Sequence, residues 1–572
     1  MEFGAASVNI ETERDGDRAR LAGRPVRGCW SSPSSPVVRG GDAGCRERVL
    51  GSARDCGVDM AALSRAQCRI GAIVLALAGS SATAAGQSVQ LSLQPLDPQP
   101  QRPAFTLAPG AAEAPVASVG DQPAPAWYTD GRACEGCPRR RVGRSLFQLT
   151  MVNVLYGLGN LARGQVTARV TPKTWWANME QGWVWDLDDF TVNQFGHPYQ
   201  GSNYFNTGRS NGLNFYESAA LTAFGSSTWE YFGETNHASL NDFINTTLGG
   251  IALGEAFHRA AWLIRDTHAT GSGRLWREIG ATILDPLTGY NRFMSGDASA
   301  VTDKPPDMVP SALGAVTSLG VLWRGSDTNA FSATGQPFLE VDLLYGDLEA
   351  GRTRVPYDAM STRLRFGGGG GISEARVRGR LLGQPLNDGR LQLSVLQSYG
   401  YEKNDAYATG SQSFEVAIGG AHDFSSQSKL RVVGWGGLTV LGAIDSLPLG
   451  VEEVPEEEPE DGGAGQGVSE GPRFYDYGPG ANFGAVTQFT RGGRPIAQFN
   501  YEARHIYSLD GVRVNHFLQK TRFDLLVPLK GRLGIGAAAE YFSRKSYYQD
   551  PDRTVKGYSY PQVRAYLTWS QR

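Results

Sequence analysis

Hydrophobic and polar side chains alternate one by one along most of the second half of the chain. Between residues 338 and 345, apolar side chains at the odd positions oppose the carboxylates of Glu340 and Asp342. A period of two residues is typical of a β-strand with one apolar and one polar face, because successive side chains point to opposite sides of a sheet. The same period returns in 375–381, 497–505 and 532–541. About twelve such segments follow one another, so this half of the chain is predicted to be antiparallel β-sheet.

A soluble sandwich or barrel and an outer-membrane barrel would both produce this period. The segments are roughly ten residues long, close to the ~9–11 residues that a tilted strand needs to cross a bilayer. Their polar faces include full charges, such as Arg376, Arg378 and Arg380, which suit a wet lumen. Short predicted turns also alternate with long connections, namely 425–428 and 528–530 against 544–560 and 442–480.

Short turns on one side and long loops on the other are typical of outer-membrane barrels. The predicted fold is therefore mixed, with an N-terminal helical module followed by an antiparallel outer-membrane-type β-barrel of about twelve strands over residues 310–571. Such a protein is located in the outer membrane, and its expected partners are the lipid bilayer and the barrel-assembly machinery.

The N-terminal region is predicted to be removed or unstructured. Residues 60–85 begin at Met60, continue through a short basic and then an apolar run, and end in small residues, which is the pattern of a cleaved signal peptide. Residues 1–59 show no period and are interpreted as an untranslated or disordered extension. Residues 86–142 form a Pro- and Ala-rich linker, in which Cys134 and Cys137 are candidates for a local disulfide in an oxidising compartment.

Composition and charge exclude two classes of protein. Lys and Arg number 54 against 57 Asp and Glu, so the electrostatic case for nucleic-acid binding is removed. Beyond the first hundred residues, no stretch is long and apolar enough for a helical membrane span, which argues against a polytopic helical membrane protein.

Residues 143–300 are predicted to be a helical module, placed in the periplasm or inside the barrel lumen as a plug.

Residues 175–262 combine Trp, Tyr, Gly, Asn and single charges at an unusual density. Four elements follow in order: His197-Pro-x-x-Gly-x-x-Tyr204, Glu217-Ser218, Trp229-Glu-Tyr231, and Ser239-x-x-Asp242 with Gly249-Gly250 after it. In these elements the chain resembles the uncharacterised bacterial domain-of-unknown-function family 3943. The resemblance implies an envelope protein of Gram-negative type, and it supplies neither an activity nor catalytic residues.

One interpretation of this motif is a catalytic site. A serine nucleophile needs a base within hydrogen-bond reach and an acid that orients the base. The candidates are His197 as base, Ser218 (or Ser202 or Ser210) as nucleophile, and Glu217 or Asp242 as orienting acid. The sequence has no G-x-S-x-G elbow to mark the nucleophile, and the other histidines lack the H-E-x-x-H spacing. No cofactor and no metal ligand is therefore predicted.

The favoured interpretation is a buried polar network that packs the helices together. Its expected members, besides the histidine and the carboxylates above, are Tyr204, Arg209, Trp229, Glu230, Glu234, Asn245 and Glu255. Ser239 is predicted to cap a helix that contains Asp242, and Glu255 is expected to pair with Arg259 four residues later. Glycines after the cap would let another backbone approach closely.

These patterns predict an outer-membrane barrel with a structural, pore or plugged-channel function in the cell envelope. The alternative is a lipid-modifying enzyme, an acyl hydrolase or acyltransferase that uses His197 with a nearby serine. A third possibility, a soluble periplasmic binding module, would require the alternating strands to form a sandwich.

Overall fold

A computed structural model describes residues 139–186, 189–325, 331–332, 334–348, 351–367, 371–445, 475–511, 513–549 and 556–571. These segments form a helical module followed by a closed β-barrel. The predicted signal peptide, the linker cysteines Cys134 and Cys137, and residues 446–474 of the long connection 442–480 lie outside the described residues.

The described residues before the barrel form eight α-helices. They are α1 (Val142–Ala162), α2 (Pro172–Gln181), α3 (His197–Arg209), α4 (Phe215–Phe232), α5 (Leu240–Ile244), α6 (Gly250–Ile264), α7 (Gly271–Leu284) and α8 (Pro286–Ser295). Short 3-10 turns lie at Val166–Ala168 and Pro306–Met308. Within the part of the chain that is described, no helix is both long and apolar enough to cross a membrane.

Polar side chains fix where two of these helices begin. The Asn214 side chain accepts a hydrogen bond from the Glu217 N–H at 2.9 Å, and the Glu217 carboxylate accepts one from the Asn214 N–H, which closes a capping box on α4. Ser239 caps α5 by accepting from the Asp242 N–H at 3.3 Å, as the sequence predicts. Glu217 and Asp242 therefore both stand in the first turn of a helix.

Twelve antiparallel strands close into one barrel. They are β1 (Leu313–Arg324), β2 (Gln336–Tyr345), β3 (Met360–Gly367), β4 (Ile372–Leu386), β5 (Leu391–Lys403), β6 (Ala408–Ser425), β7 (Ser428–Asp445), β8 (Tyr475–Arg491), β9 (Arg494–Tyr507), β10 (Val514–Pro528), β11 (Leu533–Tyr548) and β12 (Lys556–Gln571). The first and last strands pair directly, with Leu319 opposite Leu567. The predicted class of fold, a helical module followed by an outer-membrane-type barrel, is confirmed.

Four strands are longer than the alternation predicts. In the predicted loop 442–480, β7 continues to Asp445 and β8 begins at Tyr475, and these two residues pair. The segment 544–560 is expected to be a loop, but β11 continues to Tyr548 and β12 begins at Lys556, with Ser546 paired to Lys556. The extensions of β11 and β12 contain Tyr, Ser and charged residues, so they lack the apolar face by which the sequence pattern recognises a strand. Backbone pairing needs no such face where a strand continues beyond the bilayer.

Ion pairs between distant strands identify the inner face of the barrel. Arg522 on β10 and Glu340 on β2 meet at 3.0 Å, although four steps around the barrel separate their strands. Lys520 on β10 likewise reaches Glu374 on β4 at 3.0 Å. Such contacts can form only across the lumen. The charged positions of the alternating pattern therefore point inward, and the apolar positions point outward.

The outer face of β1, of β9 to β12 and of a large part of β6 to β8 is an exposed apolar belt. Side chains such as Leu319, Ile418, Leu525, Ile535 and Leu567 stand on it with about half or more of their surface exposed. A belt of this kind is what a membrane barrel presents to lipid, since the alternation then places apolar groups outside and polar groups in the lumen.

The helical module packs against the outer wall of the barrel. Phe205 and Ile251 from α3 and α6 share one core with Val377, Tyr399 and Tyr401. These strand residues alternate with the inward-facing charges, so they belong to the outer face. The module is expected in the periplasm or in the lumen. Its described helices lie on the outer face of β2 to β5, which offers apolar and aromatic groups, whereas charged side chains fill the lumen.

Further contacts extend this interface in both directions along the wall. Arg259 on α6 donates to the hydroxyl of Tyr345 at the end of β2, at 3.2 Å. Trp185 stacks on Tyr477 near the start of β8, with ring centroids 5.7 Å apart. The module consequently spans the wall from the side where β2 ends to the opposite side, where β8 begins.

Candidate functional site

Glycines bring two helices of the module into backbone contact. A Cβ placed on Gly201 of α3 would lie 1.8 Å from the carbonyl oxygen of Thr246 and 2.9 Å from the Cα of Gly250. No side chain larger than hydrogen fits at that distance, so the crossing requires glycine. The predicted close approach at Gly250 is therefore present, with α3 as the neighbouring helix.

A π turn lies directly before each of the two crossing helices, α3 and α6. Val192–Gly196 directly precedes α3, and Asn245–Gly249 joins α5 to α6. A π turn inserts one extra residue into a helix and widens it locally, and such turns occur frequently at functional sites. His197 is the first residue after one π turn, and Asp242 lies shortly before the other.

His197, Glu230 and Asp242 form a buried cluster at the crossing. The His197 Nε2 atom lies 3.5 Å from Asp242 Oδ1, and its Nδ1 atom lies 3.1 Å from the hydroxyl of Thr246. One imidazole nitrogen and one carboxylate oxygen from each of Glu230 and Asp242 all lie within 4.8 Å of one another. We call these three residues the His197 cluster.

Amide side chains hold a further carboxylate beside the cluster. The Asn241 Nδ2 atom donates to Asp186 at 2.7 Å and to Asp242 at 3.1 Å. The Asn193 Nδ2 atom donates to the same Asp186 oxygen at 3.1 Å and to the hydroxyl of Tyr475 on the barrel wall at 3.4 Å. The cluster is therefore connected to the barrel through a chain of hydrogen bonds.

Burial sets the protonation state of the imidazole. His197 lies outside the barrel strands, and its burial lowers its pKa, while the negative charges of Asp186 and Glu234 oppose that shift only in part. The imidazole is consequently neutral at pH 7, with a lone pair on one nitrogen. A neutral imidazole beside carboxylates can accept a proton or bind a metal ion.

The other residues of the proposed catalytic set lie elsewhere. A Cβ on Gly208 would lie 2.4 Å from the Ser218 hydroxyl, and Gly208 follows His197 by eleven residues on α3, which is ~16 Å along a helix. Glu217 caps α4 and pairs with Arg140. The structure thus brings His197 and Asp242 together, and it places Ser218 and Glu217 away from them.

The two alternative serines bond to their own helix. The Ser202 hydroxyl donates to the carbonyl of Tyr199 at 2.6 Å, and the Ser210 hydroxyl donates to that of Thr207 at 3.4 Å. Neither bond involves His197. The hydroxyl that does contact the imidazole belongs to Thr246, which the sequence did not single out.

Several expected network residues lie around the cluster. Glu230 accepts from the Ser239 N–H at 2.9 Å, and the Trp229 indole donates to Glu234 at 2.8 Å. The Tyr204 hydroxyl donates to Asn153 on α1 and accepts from Gln200. Asn245 is fully buried within the π turn.

A second buried cluster joins the module to β2. Glu255 accepts from Arg209 at 2.9 Å and from Arg259 at 2.8 Å, so the predicted pairing of Glu255 with Arg259 is confirmed. Arg209 also contacts Asp307 at 3.1 Å. A cavity of about 190 Å³ adjoins this cluster, and the residues around it include Arg209, His258, Trp262, Thr288, Arg292 and Asp307.

The chain is similar to several solved outer-membrane barrels at low sequence identity. The NanC porin is 8% identical, with 44% of this chain and 98% of that chain covered and a TM-score of 0.24. The outer membrane protease OmpT from Escherichia coli is 8% identical, with 46% and 97% covered and a TM-score of 0.18. The anion-selective porin from Comamonas acidovorans is 8% identical, with 46% of this chain and 99% of that chain covered and a TM-score of 0.17.

No curated protein matches the chain. A family does match the segment in which His197, Glu230 and Asp242 meet. Residues 182–287 match the family described as Domain of unknown function (DUF3943), in agreement with the resemblance of 175–262.

Proposed function

We propose that this protein is a closed outer-membrane β-barrel that conducts no solutes and anchors the helical module on its outer wall. The observation that supports this function is the set of ion pairs across the lumen. Of the roles expected from the sequence, a structural or plugged barrel agrees with these ion pairs better than an open pore does.

Glu340 is the centre of the first layer of lumen charges. It accepts hydrogen bonds from Arg365 at 2.6 Å, from Arg522 at 3.0 Å and from Arg564 at 3.0 Å. Glu540 binds two of the same guanidinium groups, those of Arg365 and Arg564. Five side chains from β2, β3, β10, β11 and β12 thus fill this part of the lumen with a network of ion pairs.

A second layer lies beside the first. Lys520 bridges Glu374 at 3.0 Å and Glu402 at 2.6 Å, and Arg376 pairs with Glu502 on β9. The lumen cavity next to these residues has a volume of only about 30 Å³, and the side chains around it include Arg378, Tyr407, Glu415 and Trp435. A cavity needs ~10–15 Å³ of such space to hold one water molecule, so this one has room for a few waters only, and a solute would have to displace paired charges to pass.

The exposed apolar side chains on the outer surface of the helical module support a position for the module within the lipid. Helices cover the outer face of β2 to β5, where the exposed apolar belt of the other strands is interrupted. The module replaces that belt with its own exposed apolar side chains, such as Phe147, Leu155 and Leu158 on α1. A barrel whose lumen is closed and whose outer face is covered by helices is suited to holding those helices at the membrane.

Conductance across a planar lipid bilayer tests the closed lumen. The purified full-length protein is expected to insert without discrete current steps. The matched positive control replaces the five charged residues of the first layer and Glu374, Arg376, Glu402, Glu502 and Lys520 of the second layer by Ala, and its folding is checked by the heat-dependent shift of its band on a gel. This variant is expected to conduct because the lumen network is removed. Regular current steps from the wild-type protein would overturn the proposed function.

A further inference from the structure

We propose that His197, Glu230 and Asp242 bind one divalent first-row transition-metal ion. This site is additional to the anchoring function and does not depend on it. The three residues come from three separate parts of the helical module, on α3, α4 and α5. All three side chains are buried.

The spacing of the ligand atoms agrees with coordination of a common ion. Two ligands that are each ~2.1 Å from a metal in tetrahedral geometry lie ~3.4 Å apart. His197 Nε2 and Asp242 Oδ1 are 3.5 Å apart. With a Glu230 oxygen, the three ligand atoms lie within 4.8 Å of one another, so the most distant pair would close by at most ~1.4 Å when an ion binds.

The other buried His–Asp pairs of the described chain have a different geometry. His258 Nδ1 lies 2.7 Å from Asp285, and His516 Nε2 lies 3.0 Å from Asp476, both at hydrogen-bond distance. The separation between His197 and Asp242 is longer than either. A direct hydrogen bond describes the first two pairs well, whereas the third has the spacing of two ligands around an ion.

The imidazole of His197 is oriented as metal-binding histidines are. In such sites the ring nitrogen that does not bind the metal donates to an oxygen, which fixes the tautomer and the ring plane. His197 Nδ1 lies 3.1 Å from the Thr246 hydroxyl. If Nδ1 is the donor, the lone pair of Nε2 points toward the carboxylates.

Carboxylates are crowded at this point of the module. The Asn241 Nδ2 atom donates to both Asp186 and Asp242, at 2.7 Å and 3.1 Å, so these two carboxyl groups lie close together beside His197. Like charges so close in a buried site repel strongly unless a proton or a cation lies between them. A divalent ion at the His197 cluster would neutralise two of these charges at once.

Asn245 supplies a second, independent observation. It is fully buried, and among the described residues neither its Oδ1 nor its Nδ2 atom has a hydrogen-bond partner. It follows Asp242 by three residues, which is the spacing of neighbours on one helix face. A buried amide without partners is costly, and its oxygen can complete the coordination or bind a metal-bound water.

The donor set selects the class of ion. One imidazole with carboxylate oxygens suits Zn²⁺ and Mn²⁺, whereas Mg²⁺ and Ca²⁺ prefer oxygen ligands only. Zn²⁺ and Mn²⁺ are therefore the probes of choice. Both bind without a change of oxidation state, so the site needs no further reactant.

The test is equilibrium dialysis of the untagged full-length protein in detergent, after treatment with EDTA, against Zn²⁺ and then Mn²⁺. The wild type is expected to retain one ion per chain. Asp242→Asn and Glu230→Gln keep the shape of each side chain and are expected to weaken binding by more than ~100-fold. Thr246→Val acts through His197 and should weaken binding ~10- to 100-fold.

The matched control is His268→Ala, which removes an exposed histidine 3.6 Å from Asp303 and should leave binding unchanged. The heat-dependent gel shift shows whether each variant is folded. Less than one-tenth of an ion per wild-type chain at ~0.1 mM metal would overturn the proposal, whether or not the variants fold. Unchanged binding by a folded Asp242→Asn variant would overturn it as well.

Discussion

Gly201 and Gly250 touch through their backbones where α3 crosses α6, since a Cβ on Gly250 would lie 2.5 Å from the Gly201 Cα. This contact sets the distance between the segments that contain His197 and Asp242. The geometry of the candidate site therefore depends on two residues that have no side chain.

Replacing Gly250 by Ala is expected to force the two helices apart. Overpacking of this kind costs ~1–3 kcal/mol, and the melting temperature of the detergent-solubilised protein should fall accordingly. Metal binding should weaken in parallel, because the ligands move with the helices.

Gly157→Ala on α1 is the control for this substitution. A Cβ on Gly157 meets nothing within 4 Å, and Ala has the higher helix propensity. The control should therefore be neutral or stabilising by up to ~1 kcal/mol. An equal loss of stability in both variants would contradict the tight crossing.

Removing one partner of the lumen network is expected to be strongly destabilising. Arg522→Leu leaves Glu340 and Asp524 in the lumen with one guanidinium fewer, and breaking a buried pair costs ~3–5 kcal/mol. Urea unfolding followed by tryptophan fluorescence measures the change. Lys429→Ala provides the comparison, because Lys429 and Asp423 are 51% and 65% exposed and such pairs contribute ~0–1 kcal/mol.

Spin labels on α1 should report lipid on one face of the helix only. Phe147 and Leu155 are 65% and 59% exposed, whereas Leu149 is 1% exposed. With the native cysteines replaced, a label at 147 or 155 in proteoliposomes should collide with oxygen more than with a water-soluble nickel complex. A label at 525, on the barrel belt, is the positive control. Preferential collision with the nickel complex at 147 would place this face in water.

Acid should remove the stability that Glu255 contributes to the module. Burial alone would raise the pKa of Glu255, but the charges of Arg209 and Arg259 outweigh it and hold the pKa below its ordinary value. A carboxylate with a lowered folded-state pKa stabilises the fold above its unfolded pKa of ~4.3, and the contribution is lost as the pH falls through the folded value.

The measurement for Glu255 compares the wild type with Glu255→Gln. The free energy of unfolding of the variant should be lower at pH 7, and the difference between the two proteins should shrink below pH ~4. A difference that stays constant from pH 7 to pH 3 would show that the charge of Glu255 does not contribute to stability.

The barrel could be predicted from the sequence because its signal is local. The alternation around Glu340 and Asp342 assigns a strand and an inner face without knowledge of any neighbour. The ends of β11 and β12 were missed, since their polar extensions pair only through the backbone. The position of the helical module on the outer face of the barrel could not be predicted either, because Tyr399 and Tyr401 have the same outward pattern whether lipid or a helix covers them.

The candidate site was predictable only in part, because it depends on contacts between segments that are far apart in the sequence. His197 and Asp242 were both singled out, but their meeting depends on the crossing of two helices, which no spacing in the sequence encodes. Ser218 is adjacent to Glu217 in the sequence and was grouped with His197, although the length of α3 separates them. Thr246 and Gly201 gave no chemical signal of their own.

The position of the helices on the outer wall has a consequence for the order of folding. The chain is synthesised from its N-terminus, so α3 and α6 exist before β4 and β5, whose Val377 and Tyr399 complete their core. Contacts between segments so far apart in the chain form late, since closing the intervening chain costs entropy. The helical module therefore completes this core only when β4 and β5 are in place, and its apolar surfaces must be shielded from aggregation until then.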